Sequence, residues 1–378
     1  MLLRGLRPVQ LSSACNEHPE TARETAAESV GEADPMRVAI DGIVFSLQPH
    51  GGISVYFRQL LTRLARDRIA CRLTLEDPTL QPAPATLGVL SEQHRRARLA
   101  ERYRPARISA GASVFHSSYY RRPSRHIPCV VTVHDFTYER CRHGLRRWVH
   151  SAQKFAAIRA ADAIICVSAA TRDDLLDLVG TRAWQQLSVI RNGVDVGFKP
   201  VDHLPTAKPF VLFVGQRAGY KNFGLLAEAM TLLPDLELLC VGGGAFRPSE
   251  LERLPGVVRT RIRHLGHVDD RDLNRLYNQA LCLAYPSTYE GFGIPVVEAM
   301  RAGCPVVCVA CKAVLEIGGD ALSVSEPDPA SMAERITSLR SPAARDTMAR
   351  AGLDRARLYD WEQTYLETLR VYRTLAGA

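Results

Sequence analysis

Two glutamates frame the segment that most clearly indicates chemistry in this 378-residue sequence, "EGFGIPVVE". Glu290 stands directly before a glycine-rich stretch, and Glu298 lies one turn into the helix predicted to follow. Gly291 and Gly293 permit close backbone approach to a ligand, and Pro295 suits the first turn of a helix. The free amides of a helix N-terminus attract anions.

This arrangement predicts a site for a diphosphate-linked sugar. One carboxylate would bind sugar hydroxyls or carry charge near the reacting carbon, and the other would bind a ribose diol. The alternative is an ordinary helix start that carries a surface glutamate.

The elements that must position these residues are read from the hydrophobic pattern. Continuous apolar runs alternate with helix-like stretches from Met36 onward, and a second alternating series follows a polar, proline-containing linker near residue 203. This pattern predicts an α/β fold with two parallel sheets, each covered on both faces. We expect Rossmann-like domains at 36–203 and 204–359, a C-terminal helix (360–378) that packs back on the first domain, and a disordered leader at 1–35. Ligands of such folds bind at the carboxyl ends of the strands.

Composition and charge restrict the class of protein. Hydrophobic residues make up 46% and charged residues 23%, which is typical of a soluble globular protein. No apolar run is long enough to span a membrane, and the first ten residues do not resemble a secretory signal. The ten cysteines lie scattered in apolar runs, which favours free thiols in a reducing cytoplasm. The net charge of +8 favours an anionic partner such as nucleotide phosphates, lipid headgroups or nucleic acid.

The sequence resembles glycosyltransferase family 4, whose members are retaining enzymes of the GT-B fold. The resemblance rests on the E-x7-E segment from Glu290 to Glu298, together with "HGGISVY", "VTVHD", "ICVSAATRDDL", "IRNGVD", "FVGQRAGYKN" and "AGCPVV" in the same order. It covers nearly all of residues 36–378 and implies two Rossmann-like domains that face each other across a cleft.

The resemblance also implies roles for residues of the second domain. Glu290 would contact the donor sugar and Glu298 the ribose hydroxyls. Arg217 and Lys221 would neutralise the leaving diphosphate, although Tyr220 precedes Lys221 where the more usual form has adjacent Arg-Lys or a longer loop. The donor would also be contacted by the backbone of Gly291, Phe292, Gly293 and Ile294, and by Val268 beside the base.

The first domain contributes a glycine pair and a histidine to the implied site. Gly51 and Gly52 would approach the donor phosphate, and a simple turn is the alternative reading of such a pair. His134, at the end of a predicted strand, would contact the donor sugar near the reacting centre; with Glu290 it forms the predicted catalytic pair. Asp135 would orient His134 or cap a turn.

The resemblance further implies a hexosyltransferase of surface polysaccharide or lipopolysaccharide synthesis. The "RAGYKN" form is similar to bacterial mannosyltransferases, so GDP-mannose is the first choice of donor, and UDP-hexoses and dTDP-rhamnose remain alternatives. The acceptor would be a saccharide or a lipid-linked saccharide held by the first domain. We expect no metal and no cofactor, and a cytoplasmic protein. Arginines cluster near Tyr103 and Trp148, and they would form either a merely solvated face or a patch that makes a peripheral contact with an anionic membrane.

Other sequence signals are weaker. Cys304, Cys308 and Cys311 have a spacing similar to an iron–sulfur motif but fall on a predicted buried strand. Asp270 and Asp272 form a D-x-D pair, which we interpret as a helix cap rather than a metal site. Two other functions remain open: a GT-B epimerase or phosphorylase, and a non-catalytic basic protein that binds nucleic acid.

Overall fold

The computed structural model describes residues 36–49, 51–75, 90–93, 101–108, 110–202, 208–217 and 219–377. The expectation for the leader at 1–35 and the domain boundary expected at 203–204 both lie outside the described residues. No helix within the described ranges is long and apolar enough to cross a membrane.

A seven-stranded parallel sheet organises the first part of the chain. Its strands are β1 (Arg37–Asp41), β2 (Ala70–Leu75), β3 (Leu90–Gln93), β4 (Val114–Ser117), β5 (Cys129–Val133), β6 (Ala163–Cys166) and β7 (Gln186–Val189). They are ordered β3-β2-β1-β4-β5-β6-β7, and every pairing is parallel. The helices of this domain are α1 (Ile43–Leu47), α2 (Gly52–Arg66), α3 (Thr137–Cys141), α4 (Leu145–Ala160) and α5 (Ala169–Leu178).

A six-stranded parallel sheet organises the second part. Its strands are β8 (Phe210–Val214), β9 (Glu237–Val241), β10 (Ile262–Gly266), β11 (Cys282–Tyr285), β12 (Val306–Val309) and β13 (Leu322–Ser325), in the order β10-β9-β8-β11-β12-β13. The helices are α6 (Phe223–Ala229), α7 (Pro248–Glu252), α8 (Gly256–Arg259), α9 (Asp270–Gln279), α10 (Ile294–Arg301), α11 (Lys312–Gly318), α12 (Pro329–Ser338) and α13 (Pro342–Ala356).

The strands of the second sheet are apolar on both sides because helices cover both faces. In β8, Phe210 and Leu212 pack into one buried cluster, whereas Val211 and Phe213 pack into another on the opposite face. Alternate residues of a strand point to opposite faces, so a strand covered on both sides must be apolar throughout. The predicted α/β class with two parallel sheets is confirmed.

The last helix, α14 (Trp361–Ala376), returns to the first domain and packs against α2 and β4. Trp361, Tyr365 and Tyr372 belong to the same buried cluster as the strands of the first sheet. The phenol of Tyr372 contacts the ring Nδ1 of His116 on β4 at 2.5 Å. The chain therefore crosses twice between the two sheets.

The sequence analysis missed β2 and β3, which form one edge of the first sheet. β2 contains Arg72 within the run "ACRLTL", and β3 is the short polar run "LSEQ". Edge strands are often short and polar, so neither run shows the continuous apolar pattern used to find the interior strands.

In both sheets the strand order reverses between the first and fourth strands, at the β1–β4 pair and at the β8–β11 pair. The loops that follow these strands diverge and leave a crevice at the carboxyl edge, where open α/β sheets bind ligands. The predicted donor-binding residues of the second domain lie after β8 and β11, except Val268, which follows β10.

Candidate donor site

An ion pair lies in the crevice of the second sheet. Glu290 follows β11 and Lys221 follows β8, and Lys221 Nζ is 2.6 Å from Glu290 Oε1. Lys221 Nζ also contacts the phenol oxygen of Tyr285 at 3.2 Å. Both charged side chains are 12% exposed, so they reach the crevice while most of each is shielded from water. Shielding strengthens the interaction of these charges with any ligand that enters.

Arg217 lies in the same loop after β8 as Lys221, but its side chain bonds other residues and not Lys221. Its Nη2 donates to the carbonyl oxygen of Gly244 at 2.9 Å, and the guanidinium lies 4.0 Å from the ring centroid of Phe246. Its Nε is 3.5 Å from Glu250 Oε1. The structure therefore brings Lys221 and Glu290 together, and holds Arg217 against the glycine loop that follows β9.

Glu298 lies in the second turn of α10, and its Oε2 accepts a hydrogen bond of 2.9 Å from the phenol of Tyr277 on α9. Burial raises the pKa of the Glu298 carboxyl to about 7, the Tyr277 hydrogen bond opposes the shift, and the charge of Asp270 adds to it. A carboxylate kept poorly solvated in this way is suited to accept hydrogen bonds from ligand hydroxyls.

The raised pKa of Glu298 predicts a pH-dependent stability. Between its ordinary value of 4.5 and about 7 the folded protein holds a proton that the unfolded chain has released, so stability falls as pH rises through this window. In chemical denaturation of the ligand-free protein, we expect Glu298→Gln to be more stable than the wild type at about pH 8, by on the order of 2 kcal/mol. The difference should vanish near pH 4; an equal gain at both pH values would contradict the assignment.

The glycine pair of the first domain meets the start of α10. Gly51 caps α2, Gly52 is its first residue, and a Cβ on Gly52 would be 3.3 Å from Ile294 Cδ1. Helix α2 therefore begins against a side chain from the first turn of α10, across the two domains. Gly293, with φ of +106°, caps α10 in a left-handed conformation.

His134 follows β5 and lies edge-on to the ring of Tyr56, at a centroid distance of 5.2 Å. Its Nε2 is buried and makes no hydrogen bond to any residue that the structure describes. Burial lowers the pKa of His134 to about 4, the charge of Asp135 opposes this shift, and that of Lys154 adds to it. The imidazole is therefore neutral near pH 7, with a ring nitrogen available to a ligand.

The loop that carries Glu290 is fixed to the first domain on both sides of that residue. The carbonyl oxygen of Gly291 accepts hydrogen bonds from Ser168 Oγ at 2.6 Å and from Thr171 Oγ1 at 2.9 Å. The phenol of Tyr289 accepts from the backbone N–H of Phe136 at 2.9 Å and donates to Asp174 Oδ2 at 2.7 Å. These contacts place Glu290 and the loop of His134 in one rigid arrangement.

Tyr289 therefore positions Glu290 relative to the first domain. We expect Tyr289→Phe to lower the turnover number about tenfold with a smaller change in donor KM, because the loss of its hydrogen bonds loosens the loop. Steady-state kinetics checks this result. Thr288→Ala is the control, because the exposed Thr288 side chain bonds the carbonyl oxygen of Tyr220 and no other residue in the described ranges. Unchanged turnover in Tyr289→Phe would show that the contact only stabilises the fold.

A buried ion pair between α3 and α4 holds the loop that carries His134. Lys154 Nζ is 2.8 Å from Glu139 Oε2 and donates to the carbonyl oxygen of Asp135 at 2.8 Å. The pKa of Glu139 is lowered to about 2; burial opposes this shift, but His150, Lys154 and Ser151 together outweigh it. Sequence reasoning missed these residues, because nothing in their local pattern separates them from an ordinary surface helix.

The remaining predicted residues are placed as follows. Phe292 is buried against the ring of Tyr359, so that only its backbone can meet a ligand. Val268 is partly buried against the core of the second domain. The cap of α9 is Asp269, which accepts from the N–H of Asp272 at 2.8 Å, so the capping predicted for the D-x-D pair belongs to the preceding residue. Within the described ranges, no three potential metal ligands come together.

The described cysteines form no disulfide, and all but the partly buried Cys141 are buried. Cys304 and Cys308 lie in the apolar core of the second domain, where burial raises the pKa of both thiols to about 12. They are therefore packing residues.

Comparison with known proteins agrees with this architecture. The family model described as "Glycosyltransferase Family 4" matches residues 50–198, and the one described as "Glycosyl transferases group 1" matches residues 208–341. The O-antigen chain mannosyltransferase B of Escherichia coli is 29% identical over 69% of this chain and 74% of its own length. The α-maltose-1-phosphate synthase of Mycolicibacterium smegmatis is 25% identical over 90% of this chain and all of its own length.

Solved structures share the fold. Sucrose-phosphate synthase from Thermosynechococcus elongatus superposes with a TM-score of 0.75 at 24% identity, over 90% of this chain and 99% of that structure. WaaG, a glycosyltransferase involved in lipopolysaccharide biosynthesis, superposes with a TM-score of 0.65 at 16% identity, over 90% of this chain and all of WaaG. The two family models match consecutive segments, residues 50–198 and 208–341, that together cover most of the chain, and the chain therefore belongs to glycosyltransferase family 4.

Proposed function

We propose that this glycosyltransferase is a retaining enzyme that transfers mannose from GDP-mannose to a saccharide or lipid-linked saccharide acceptor during synthesis of a surface polysaccharide. The observation that carries the proposal is the Lys221–Glu290 pair, which stands in the crevice of the second sheet beside the N-terminus of α10. A site that holds an anionic leaving group and a sugar needs a cation and a carboxylate at such a point.

The donor binds mainly to the second domain. Its diphosphate lies at the N-terminus of α10 and is neutralised by Lys221 and by Arg217, which exchanges its carbonyl partners for phosphate oxygens. Glu298 accepts hydrogen bonds from the ribose hydroxyls, the backbone from Gly291 to Ile294 meets sugar and phosphate, and Val268 lies beside the base. Gly51 and Gly52 approach the phosphate from the first domain.

The reaction breaks the bond between the sugar C1 and the diphosphate oxygen, and that oxygen keeps the electron pair as GDP leaves. The acceptor hydroxyl forms its new bond to C1 from the same face, and its proton passes to a phosphate oxygen of the leaving group. Glu290 and the neutral ring of His134 bind the sugar hydroxyls. The charge that develops on the diphosphate is stabilised by Lys221 and the N-terminus of α10, which are already in place, and by Arg217 once it has exchanged its carbonyl partners.

These protein cations supply the positive charge that a divalent metal supplies in other transferases, so we propose that neither metal nor cofactor is required. Transfer should be unaffected by a chelator. Loss of activity with chelator, restored by a divalent cation, would overturn this part of the proposal.

The choice of mannose is supported by two relatives. One is the O-antigen enzyme of Escherichia coli, and the other is a phosphatidyl-myo-inositol mannosyltransferase of Mycobacterium tuberculosis, 33% identical over 52% of this chain and 58% of its own length. Other relatives include a glycogen synthase, and an Anabaena protein of the same fold was solved with UDP-glucose. UDP- and dTDP-sugars are therefore the competing donors. The proposed function also includes the predicted cytoplasmic location.

A donor panel tests the proposal. The purified protein is incubated with GDP-mannose, UDP-glucose and dTDP-rhamnose, and thermal stabilisation and slow donor hydrolysis are measured. We expect GDP-mannose to raise the unfolding temperature and to be hydrolysed. A response to UDP-glucose alone would make UDP-glucose the donor in place of GDP-mannose. Conversion of the sugar without an acceptor would indicate an epimerase. Salt-dependent RNA binding without a response to any donor would indicate a nucleic-acid-binding protein.

A further inference from the structure

Helix α4 of the first domain exposes apolar side chains on the face that should be polar. Leu145 is 79% exposed and Trp148 is 73% exposed, and Val149 is also exposed. Residues three and four apart lie on one face of a helix, so these side chains form one patch, which we call the α4 face. Ala152 and Ala156, also exposed, extend the face along the helix.

The opposite side of α4 is buried and packs on β5 and α3. Lys154, Ala157 and Ile158 are buried there. A surface helix normally pairs its buried stripe with a polar outer face. Helix α4 is apolar on its outer face as well, and contiguous exposed apolar surface of this kind marks a binding site.

The charges that α4 itself carries are of one sign. The sequence of α4 contains no aspartate or glutamate, and it includes Arg147 and Arg159. Arg142 and His143, both exposed, directly precede the helix. A basic rim around an apolar patch is complementary to an anionic, apolar partner.

An aromatic residue from another segment lies beside this helix. Gln153 Nε2 of α4 donates to the carbonyl oxygen of Arg102 at 2.5 Å, which holds the turn that carries Tyr103 against α4. Tyr103 is exposed, and the Arg102 guanidinium lies 5.1 Å from its ring centroid. Tyrosine and tryptophan are enriched where a protein meets the boundary between lipid headgroups and hydrocarbon.

The α4 face adjoins the candidate site. Strand β5 ends at Val133, the His134 loop and α3 follow at the carboxyl edge of the sheet, and α4 then returns toward the start of β6 at Ala163. The first turn of α4, with Leu145 and Trp148, is therefore at the end of the helix nearest the site.

We propose that the α4 face docks on an anionic lipid bilayer and orients the site toward acceptors held in that membrane. The orientation of the site toward the membrane rests on the lipid-linked acceptor of the proposed function. The docking of the α4 face on the bilayer does not depend on that acceptor. A lipid surface fits better than an acidic protein, because the face combines exposed apolar and aromatic side chains with arginines.

Vesicle co-sedimentation of the full chain tests the docking without donor or acceptor. We expect binding to vesicles of phosphatidylcholine mixed with phosphatidylglycerol, little binding to phosphatidylcholine alone, and weaker binding in high salt. The double variant Leu145→Gln, Trp148→Gln should bind at least about tenfold more weakly, because the inserted apolar area is lost. In a Trp184→Phe background, the fluorescence of Trp148 should shift to shorter wavelength on binding, since the only other tryptophan, Trp361, is buried.

Trp184→Gln is the matched control, because Trp184 is also an exposed tryptophan of the first domain, at 56%, outside the α4 face. It should bind vesicles like the wild type, and all variants should keep the wild-type unfolding temperature and donor hydrolysis. Equal vesicle binding by the double variant and the wild type would overturn the proposal. The proposal would also be overturned if the wild type is a dimer that binds no vesicles and the double variant is a monomer. That result would assign the face to contact with a second copy of the chain. Vesicle binding through the face in a protein that responds to no nucleotide-sugar would leave the docking standing and reject the proposed function.

Discussion

Replacing Glu290 by glutamine should reduce donor hydrolysis and transfer by about 100- to 1000-fold, the cost of removing one preorganised charged group from a reacting centre. The carboxylate pairs with Lys221 at 2.6 Å, so the substitution removes the partner that orients the cation and, in the proposed function, a contact to the sugar. Lys221→Met should cause a loss of similar size for the complementary reason. Measurement of kcat/KM with the donor identified by the panel gives both values.

The two residues act as a unit, and this has a specific consequence. The double variant Glu290→Gln, Lys221→Met should be no more than a few-fold worse than either single variant, because each single change already disables the pair. Glu326→Gln and Lys208→Met, at exposed positions of the same domain, serve as controls and should keep full activity. Strictly multiplicative losses in the double variant would show that the residues act separately and that their ion pair has no catalytic role.

The features of this molecule that could be predicted from sequence are those that depend on residues close together in the chain. The apolar runs of β5 and β11 are buried on both faces, and such runs indicate parallel sheets whatever their partners are. The loops after parallel strands collect at one edge, so the positions of Lys221 and Glu290 after β8 and β11 already bring them to the same crevice. Their direct contact then depends only on side-chain length.

The parts that could not be predicted have long-range causes. The Tyr277 phenol that bonds Glu298 belongs to a different helix, and Lys154 supports the His134 loop from a helix whose own pattern is unremarkable. Arg217 illustrates the same limit: the resemblance implies that it acts together with Lys221, but the glycine loop after β9 offers carbonyl oxygens that hold it apart. Sequence spacing alone carries no information about such competing partners.

Gly291→Ala is expected to be among the most damaging small substitutions in the part of the chain that the structure describes. A Cβ at this position would lie 1.8 Å from the carbonyl oxygen of His134 and 2.8 Å from the Cβ of Asp135. Neither backbone can yield without moving one domain from the other, because the Gly291 carbonyl is itself bonded to Ser168 and Thr171. We expect a loss of on the order of 3 kcal/mol in the free energy of unfolding.

The same displacement separates Glu290 from His134, so activity should fall by at least about 100-fold even under conditions where the variant is fully folded. Gly224→Ala is the matched control, because a Cβ there meets nothing within 4 Å; alanine in α6 should leave activity unchanged and stability equal or slightly higher. Circular dichroism melts together with donor hydrolysis at low temperature separate the two effects. If Gly291→Ala melts early but hydrolyses donor normally when folded, the contact stabilises the protein without setting the geometry of its site. If the variant neither melts early nor loses activity, the close contact at Gly291 constrains nothing, and the fixed arrangement of Glu290 against the His134 loop must be abandoned.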